Sequence, residues 1–253
     1  MPNGIDARFY KKCSSTNRVA ESCYKEGTKG PVWFVANEQT AGRGRKGRIW
    51  TSENGNLFSS LLFTPFISPS DLGPLAFIAA LAVRDTFIAL GADAASVTCK
   101  WPNDVLIEGK KASGILIESS ASGAGKLDYV IIGIGMNLIN NPTDAEFLAT
   151  NLKKVTGKTV SVRNAIELLA GFVKARIEAW DIDNFLPIRD EWTQHAWGLG
   201  ETRQIRTSQQ SFQARLIGLN AHGGLKALLP SGEEKTIVAA DVFPVGEGET
   251  EEL

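Results

Sequence analysis

A chain of 253 residues with 43% hydrophobic side chains is long enough to bury a large core, either as one big domain or as a large domain beside a small one. Its formal net charge of -1 provides no global field favouring nucleic acid or a membrane surface, so any anion site has to come from local clustering. Three cysteines and two histidines, widely spaced and without a CxxC pair, argue against structural zinc and for a reducing cytoplasm.

The N-terminal stretch MPNGIDARFYKKC lacks the apolar centre of a secretory signal, and no run approaches the roughly 18 apolar residues that cross a bilayer. Residues 7–64 then read as strand, helix, strand, polar loop, strand. Phe9 and Tyr10 open the first strand, 17–25 has helical spacing, and 32–36 and 57–63 are extended apolar runs. The loop between them, 37–56, has no apolar periodicity, and a stretch of that length inside a compact domain is usually functional. Residues 71–90 place Leu75, Ala76, Phe77, Ile78, Leu81 and Ala82 around most of a helical circumference, which predicts a buried core helix ended by Gly91. A hairpin is expected from 105–107 and 115–117 about Glu108 and Gly109, and 128–138 supplies another, strongly apolar strand. Residues 162–180 and 184–195 have helical spacing. From about Glu201 to Val245 the pattern changes to short β-like runs, 212–219, 225–229 and 236–238, broken by His222-Gly223-Gly224 and Ser231-Gly232. The expected fold is α+β: a mixed β-sheet with helices packed on it over 1–197, a small C-terminal β-barrel or sandwich over 198–246, and an acidic tail over 247–253 expected to be disordered.

The densest chemistry lies in the long loop. Gly42, Arg43, Gly44, Arg45, Lys46, Gly47 and Arg48 put four cations and three glycines in seven residues, with no acid nearer in sequence than Glu38 and Glu53. Phosphate is the natural ligand, because glycines let backbone N–H groups approach an anion and arginine matches its oxygens. Without a ligand the cations should repel one another, so the loop is expected to stay mobile until an anion draws it shut and excludes water. A solvated basic turn and an RNA-binding arginine and glycine segment are the rival readings. The formal GxGxxG of Gly42, Gly44 and Gly47 does not suit a dinucleotide fold, since 49–54 is polar and turn-like where a helix should open.

Lys100, Trp101, Pro102, Asn103 and Asp104 follow a short strand, and Pro102 turns the chain so that Asn103 and Asp104 lie at a strand end; a plain turn is the alternative. Lys111 comes just after the hairpin turn, where it either faces the same pocket or is a solvated edge residue. Ser14, Ser15, Thr16 and Asn17 precede a helix and suit capping of its free N–H groups, or hydrogen bonding to a polar ligand. Residues 129–137, YVIIGIGMN, form a buried strand ending in Gly133, Ile134 and Gly135, without the third glycine or following helix of a Rossmann turn.

The order of these stations, Ser15-Thr16-Asn17, then Gln39 and GRGRKGR with Trp50, then KWPND with Lys111 and Gly114, then GIGMN, resembles the catalytic domain of biotin protein ligases. The motifs cover residues 8–137, and the likeness continues more weakly into helices and a small C-terminal β-barrel. The resemblance implies a class II aminoacyl-tRNA synthetase-like catalytic fold with an SH3-like barrel. It implies an enzyme that joins biotin and ATP, with Mg²⁺, into biotinyl-5'-adenylate and then biotinylates one lysine of a biotin carboxyl carrier protein. By position, Ser15, Thr16, Asn17 and Gln39 would hold the biotin head, with Gly42, Gly114, Gly133 and Gly135 around it. Arg43, Gly44 and Arg45 would wrap the carboxylate and phosphate, and Lys46 and Arg48 would face the nucleotide phosphates. Trp50 would lie near the adenine, with Lys100, Asn103, Asp104, Lys111 and Asn137 around the adenylate. Lys111 and Arg45 would be catalytic, Lys111 bridging the carboxylate and the α-phosphate.

About seven residues precede the first strand, so the resemblance implies a monofunctional ligase without operator binding. No dedicated metal site and no membrane partner are expected, and an exposed sheet edge would serve either a homodimer or carrier docking. Lys46 stands where many relatives differ, and the C-terminal arginine of some relatives has no clear counterpart near residues 242–245. The remaining alternatives are a lipoate ligase, which needs a long apolar tunnel, and a nucleic-acid-binding protein using the basic loop.

Overall fold

The computed structural model describes residues 1–2, 4–65, 67–123 and 126–245, the side chains of Ser70 and Asp71 excepted. A seven-stranded sheet carries β1 (Asp6–Tyr10), β2 (Val32–Ala36), β3 (Leu57–Phe63), β4 (Val97–Lys100), β5 (Asp104–Ile107), β6 (Lys110–Ser120) and β7 (Tyr129–Met136) in the order β1-β2-β3-β7-β6-β5-β4. The first pair is parallel and the remaining neighbours are antiparallel, which makes the sheet mixed.

Both faces of this sheet are covered, and the side-chain alternation of its central strands says how. Trp33 and Val35 of β2, Leu57 and Leu61 of β3, and Val130, Ile132 and Ile134 of β7 join the main core. That core is closed by α2 (Gly73–Ala89), with α4 (Val162–Glu178) and α5 (Leu186–Gln194) packed against it. The alternate residues Val32, Phe34, Leu62, Tyr129 and Ile131 form a second, smaller core with Ala20 and Cys23 of α1 (Thr16–Lys25). Apolar residues all round α2 are what a helix enclosed on every side requires. Ser161 caps α4 by accepting from Asn164 N at 3.1 Å. The turn between β5 and β6 has Glu108 and Gly109 at φ 51° and 70°, the left-handed pair that matches strand twist in a two-residue hairpin.

The C-terminal part is a five-stranded antiparallel sheet. Its strands β8 (Thr202–Arg206), β9 (Ser211–Leu219), β10 (Leu225–Leu228), β11 (Glu234–Ile237) and β12 (Asp241–Phe243) lie in the order β11-β10-β9-β8-β12. Buried Trp101 donates through Nε1 to Gly223 O at 3.0 Å, and backbone bonds join Cys99 to His195 and Trp197, so the small sheet is tied to the region around β4.

Several expectations are adjusted. Helix α2 begins at Gly73, after a 3₁₀ turn over Pro69–Leu72, and a five-residue helix α3 (Leu152–Thr156) and the strands β8 and β12 were not individually anticipated. The α1 terminus is not capped by Ser15, whose side chain makes no cap bond; Gln39 Oε1 takes that place by accepting from Thr16 N at 2.8 Å. The acidic tail at 247–253 lies outside the described residues.

Candidate active site

Glycines on one face of the sheet create the cavity. The cross-strand partners Ser60, Gly133 and Leu116 form one row on the face towards α1, and Phe58, Gly135 and Gly114 form the next. Where Ile131 continues the small core, the missing side chains at 133 and 135 leave room. Part of that room is taken by groups arriving from the loops. The Trp50 indole lies across Gly114 and Gly135, and a Cβ there would stand 2.8 Å and 2.6 Å from its ring atoms; a Cβ on Gly133 would overlap the Asn17 amide. What remains is a cavity of about 400 Å³ that extends from α1 to β12 of the small sheet.

One end is neutral and polar. Gln39 accepts from Thr16 N and donates through Nε2 to Ser52 Oγ at 3.0 Å, while Ser52 donates to Trp50 O at 2.9 Å. Ser60 Oγ lies 2.5 Å from Asn17 Oδ1 and 2.7 Å from Thr16 Oγ1. Since an amide oxygen can only accept, the Ser60 proton points to Asn17. Asn17 Nδ2 donates to Glu118 Oε2 at 2.7 Å, which fixes the amide from its other side.

The other end is cationic. Lys111 is rooted by backbone bonds to Leu148 O and from Thr150 N, at 2.8 and 2.9 Å, and its Nζ lies 2.7 Å from Asp104 Oδ1. The contact is a close ion pair that takes up only part of the three donors of the ammonium, and the others can meet an anion. Lys100 Nζ stands 3.5 Å from Asp104 Oδ2 and above the rings of Phe147 and Phe243, at 4.6 and 5.9 Å. Burial pulls the Lys100 ammonium below the ordinary lysine range, more than Asp104 restores. For Asp104 burial pushes the pKa up, but the Lys111 and Lys100 charges outweigh it and hold the carboxyl below its usual range. Two lysines against one aspartate leave this end with a net positive charge.

The glycine and arginine loop covers the cavity. Lys46 and Gly47 both adopt positive φ, 55° and 73°, so its tip reverses tightly. Contrary to the expectation of cations without acids, the tertiary fold supplies partners. Arg43 bridges to Glu118 at 3.2 Å, Arg45 Nη1 donates to Asn103 Oδ1 at 3.1 Å, and Lys46 and Arg48 pair with Asp241 of β12 at 3.2 and 2.7 Å. The loop is therefore pinned across the site before any anion arrives. The half-exposed ion pairs among these, those of Glu118 and Asp241, contribute only about 0–1 kcal/mol each, so the cover remains releasable. Buried donors without partners, Arg43 Nε and Trp50 Nε1, mark places where a ligand acceptor would be satisfied.

Of the residues expected in the site, all but Gly42 and Lys46 line the cavity. Gly42 lies under it: an added Cβ would come within 2.5 Å of Ser52 Oγ and 2.6 Å of Trp50 O. Asn137 lines it but spends its Nδ2 on Thr150 O at 3.0 Å, so it braces the wall. Sequence reasoning missed Glu118, Phe147, Asp241 and Phe243. Only Glu118 carried a local signal, an acid in the otherwise apolar Ile115-Leu116-Ile117 strand at the parity of Gly114.

A sheet-borne cavity with neutral hydrogen-bonding groups at one end and cations and aromatic rings at the other defines an enzyme that holds a polar molecule against an anionic one. The model of the biotin/lipoate A/B protein ligase family matches residues 9–137. The biotin–[acetyl-CoA-carboxylase] ligase of Paracoccus denitrificans is 37% identical over 223 residues, which span 86% of this chain and 92% of that protein. Among solved structures, the biotin protein ligase of Aquifex aeolicus in complex with biotin and ATP superposes with a TM-score of 0.79 at 26% identity, covering 94% of this chain and 97% of that one. The Leishmania major biotin protein ligase in complex with biotinyl-5-AMP gives 0.67 at 25% identity, over 94% of this chain and 100% of that one. The chain belongs to the biotin/lipoate A/B protein ligase family.

Proposed function

We infer that this chain activates biotin with ATP as biotinyl-5'-adenylate and passes the biotinyl group to a lysine of a biotin carboxyl carrier protein. The observation that carries the reading is that Lys111 and the arginine loop share one cavity with the Thr16, Asn17 and Gln39 pocket. In the first step a biotin carboxylate oxygen bonds to the α-phosphorus and the bond to pyrophosphate breaks. Both reactants are anions, so positioning and cations supply the rate and no nucleophilic side chain is needed. Lys111 would neutralise the forming bond between carboxylate and α-phosphate, while Arg43 and Arg45 close over it and Arg48 and Lys46 face the departing phosphates. In the second step the carrier lysine amine attacks the acyl carbon and AMP leaves, the amine losing its proton. Mg²⁺ would arrive with ATP and take its ligands from phosphate oxygens; among the described residues no group of three or more His, Cys, Asp or Glu side chains is arranged to hold a metal.

Biotin is favoured over lipoate because the neutral end is lined by Thr16, Asn17 and Gln39, held in place by Ser52 and Ser60, and their remaining hydrogen-bonding capacity matches a ureido group and finds no partner on a dithiolane. The nucleic-acid reading needs a basic surface, whereas the loop spends its cations on Glu118, Asn103 and Asp241. The division at residues 197 and 198 gives a catalytic unit and a barrel that lends Asp241 and Phe243 to the cavity lining. A cytoplasmic location suits three free cysteines, and among the described residues no helix is long and apolar enough to cross a membrane. The β1 edge of the large sheet, paired only with β2 among the described strands, is the natural place for a second copy or the carrier.

Incubation with ATP, Mg²⁺ and either biotin or lipoate, followed by mass spectrometry and a pyrophosphate assay, tests the reading. Biotinyl-adenylate is expected, and lipoyl-adenylate in its place would overturn it. Two variants probe the ends of the site. Gly133→Ala drives a methyl into the Asn17 amide, an overpacking worth about 1–3 kcal/mol, so the KM for biotin should rise roughly tenfold with the KM for ATP unchanged. Equal loss for both substrates would argue against Asn17 as a biotin contact. Asp241→Asn frees Lys46 and Arg48 from a competing carboxylate, and the apparent KM for ATP should fall about two- to fivefold at low salt. An unchanged or higher value would mean that these cations do not meet the nucleotide.

A further inference from the structure

We propose that Glu118 is a positioning residue that couples recognition of the biotin head to closure of the arginine loop. It rests on the reading of the site as a biotin pocket. Glu118 does not itself line the cavity; it stands behind two groups that do. Its Oε2 accepts from Asn17 Nδ2 at 2.7 Å, and its Oε1 lies 3.2 Å from Arg43 Nη2. The two partners come from different elements, Asn17 from α1 and Arg43 from the covering loop, separated from Glu118 by 101 and 75 positions in the chain.

The carboxylate has two tasks, with Oε2 serving Asn17 and, at 3.5 Å, sharing Arg43 Nη2 with Oε1. A carboxylate can only accept, so it compels Asn17 to turn its NH₂ to Glu118 and its oxygen to Ser60, leaving one amide N–H and one oxygen lone pair for a ligand. Without Glu118 only the Ser60 hydroxyl, which can donate or accept, holds the amide, and the pocket loses the contact that fixes its polarity. Towards Arg43 the same carboxylate holds the loop down at the biotin end, while its buried Nε keeps an unspent donor. A ligand that strengthens the Asn17 contact therefore also steadies the anchor on which Arg43 rests. The strand register supports this placement: Glu118 pairs with Ile131 in the row beside Leu116 and Gly133, directly at the end of the cavity floor.

Two substitutions separate the tasks. In Glu118→Gln the side-chain oxygen can still accept from Asn17, but the charge and the nearer acceptor facing Arg43 are removed, so the loop anchor is weakened and the pocket polarity is kept. In Glu118→Ala both are lost. With wild-type enzyme forming biotinyl-adenylate in the same assay, which tests the biotin reading on its own, Glu118→Ala should raise the KM for biotin at least about tenfold and leave the KM for ATP within about twofold. Glu118→Gln should keep the KM for biotin within about threefold and release preformed biotinyl-adenylate at least about fivefold faster. Wild-type values for biotin KM in Glu118→Ala, or an adenylate release rate in Glu118→Gln equal to that of the wild type, would overturn the coupling. A parallel rise in both KM values would reduce Glu118 to a structural brace and overturn it equally.

Discussion

Replacing Lys111 by alanine is expected to cut biotin-dependent pyrophosphate release by about 10³-fold, the loss found when one preorganised donor is taken from a developing charge. The effect should be this large because the first step brings two anions together and Lys111 carries the charge that meets them. Lys100 is buried between Asp104 and the Phe147 and Phe243 rings and Arg45 donates to Asn103, whereas the less buried Lys111 ammonium lies 2.7 Å from Asp104 at the cavity wall beside Trp50. Its backbone is fixed by Leu148 and Thr150, so the variant keeps its strand, and Asp104 keeps Lys100 as a counter-ion. The thermal midpoint should therefore move by only a few degrees, roughly the response to about 1 kcal/mol in a chain of this size. Should alanine at 111 prove too disruptive, Lys111→Met retains the stem and removes only the charge. Near-normal pyrophosphate release from a folded variant would take Lys111 out of the chemistry.

How far this site could be read from the chain depended on whether the physics was local. The strand ending in Gly133-Ile134-Gly135 was read as buried and apolar, and period-two alternation puts both glycines on the face where the cavity opens. KWPND and Lys111 could be placed together because a two-residue turn leaves little freedom between β5 and β6. The small sheet was legible in outline from its turns, but β12 has three residues and α3 has five, too few for either period to register. The position of that sheet was not legible at all, since it depends on contacts such as Trp101 to Gly223 across 122 positions.

The loop shows the same limit from the other direction. Seven residues rich in cations were read as a unit without their partners, because Glu118 and Asp241 are distant in sequence. An isolated basic loop should repel itself open; one that folds over Glu118, Asn103 and Asp241 has a definite resting position. Burial pushes the Asp241 carboxyl up, but its bonds and charges with Arg48 and Lys46 prevail and hold it below the ordinary range. By sign, the stabilisation from such a depressed carboxyl is present above its unfolded value and fades as pH falls through the folded one. The resting loop should accordingly loosen on acidification and hold near neutrality.

The second large effect concerns what the cover is for. A mixed anhydride is readily hydrolysed, so its survival until the carrier lysine arrives depends on water exclusion and slow release. Arg45 is the central pin: burial pulls its guanidinium below the ordinary range, a sign of desolvation, and it still carries charge at neutral pH. Arg45→Gly removes its bond to Asn103, about 1.5–3 kcal/mol for a charged donor, and adds a glycine whose extra backbone freedom costs about 0.5–1 kcal/mol on closure. The sum, roughly 2–4 kcal/mol, predicts loop opening about a hundredfold more often. Biotinyl-adenylate should then dissociate about a hundredfold faster, and exposed lysines of bystander proteins should become biotinylated, with pyrophosphate release retained in part. The measurement is the release rate of preformed adenylate, followed alongside labelling of an unrelated protein. If the rate matches wild type, water exclusion does not depend on Arg45, and the pin must be sought at Arg43 or at the Asp241 contact.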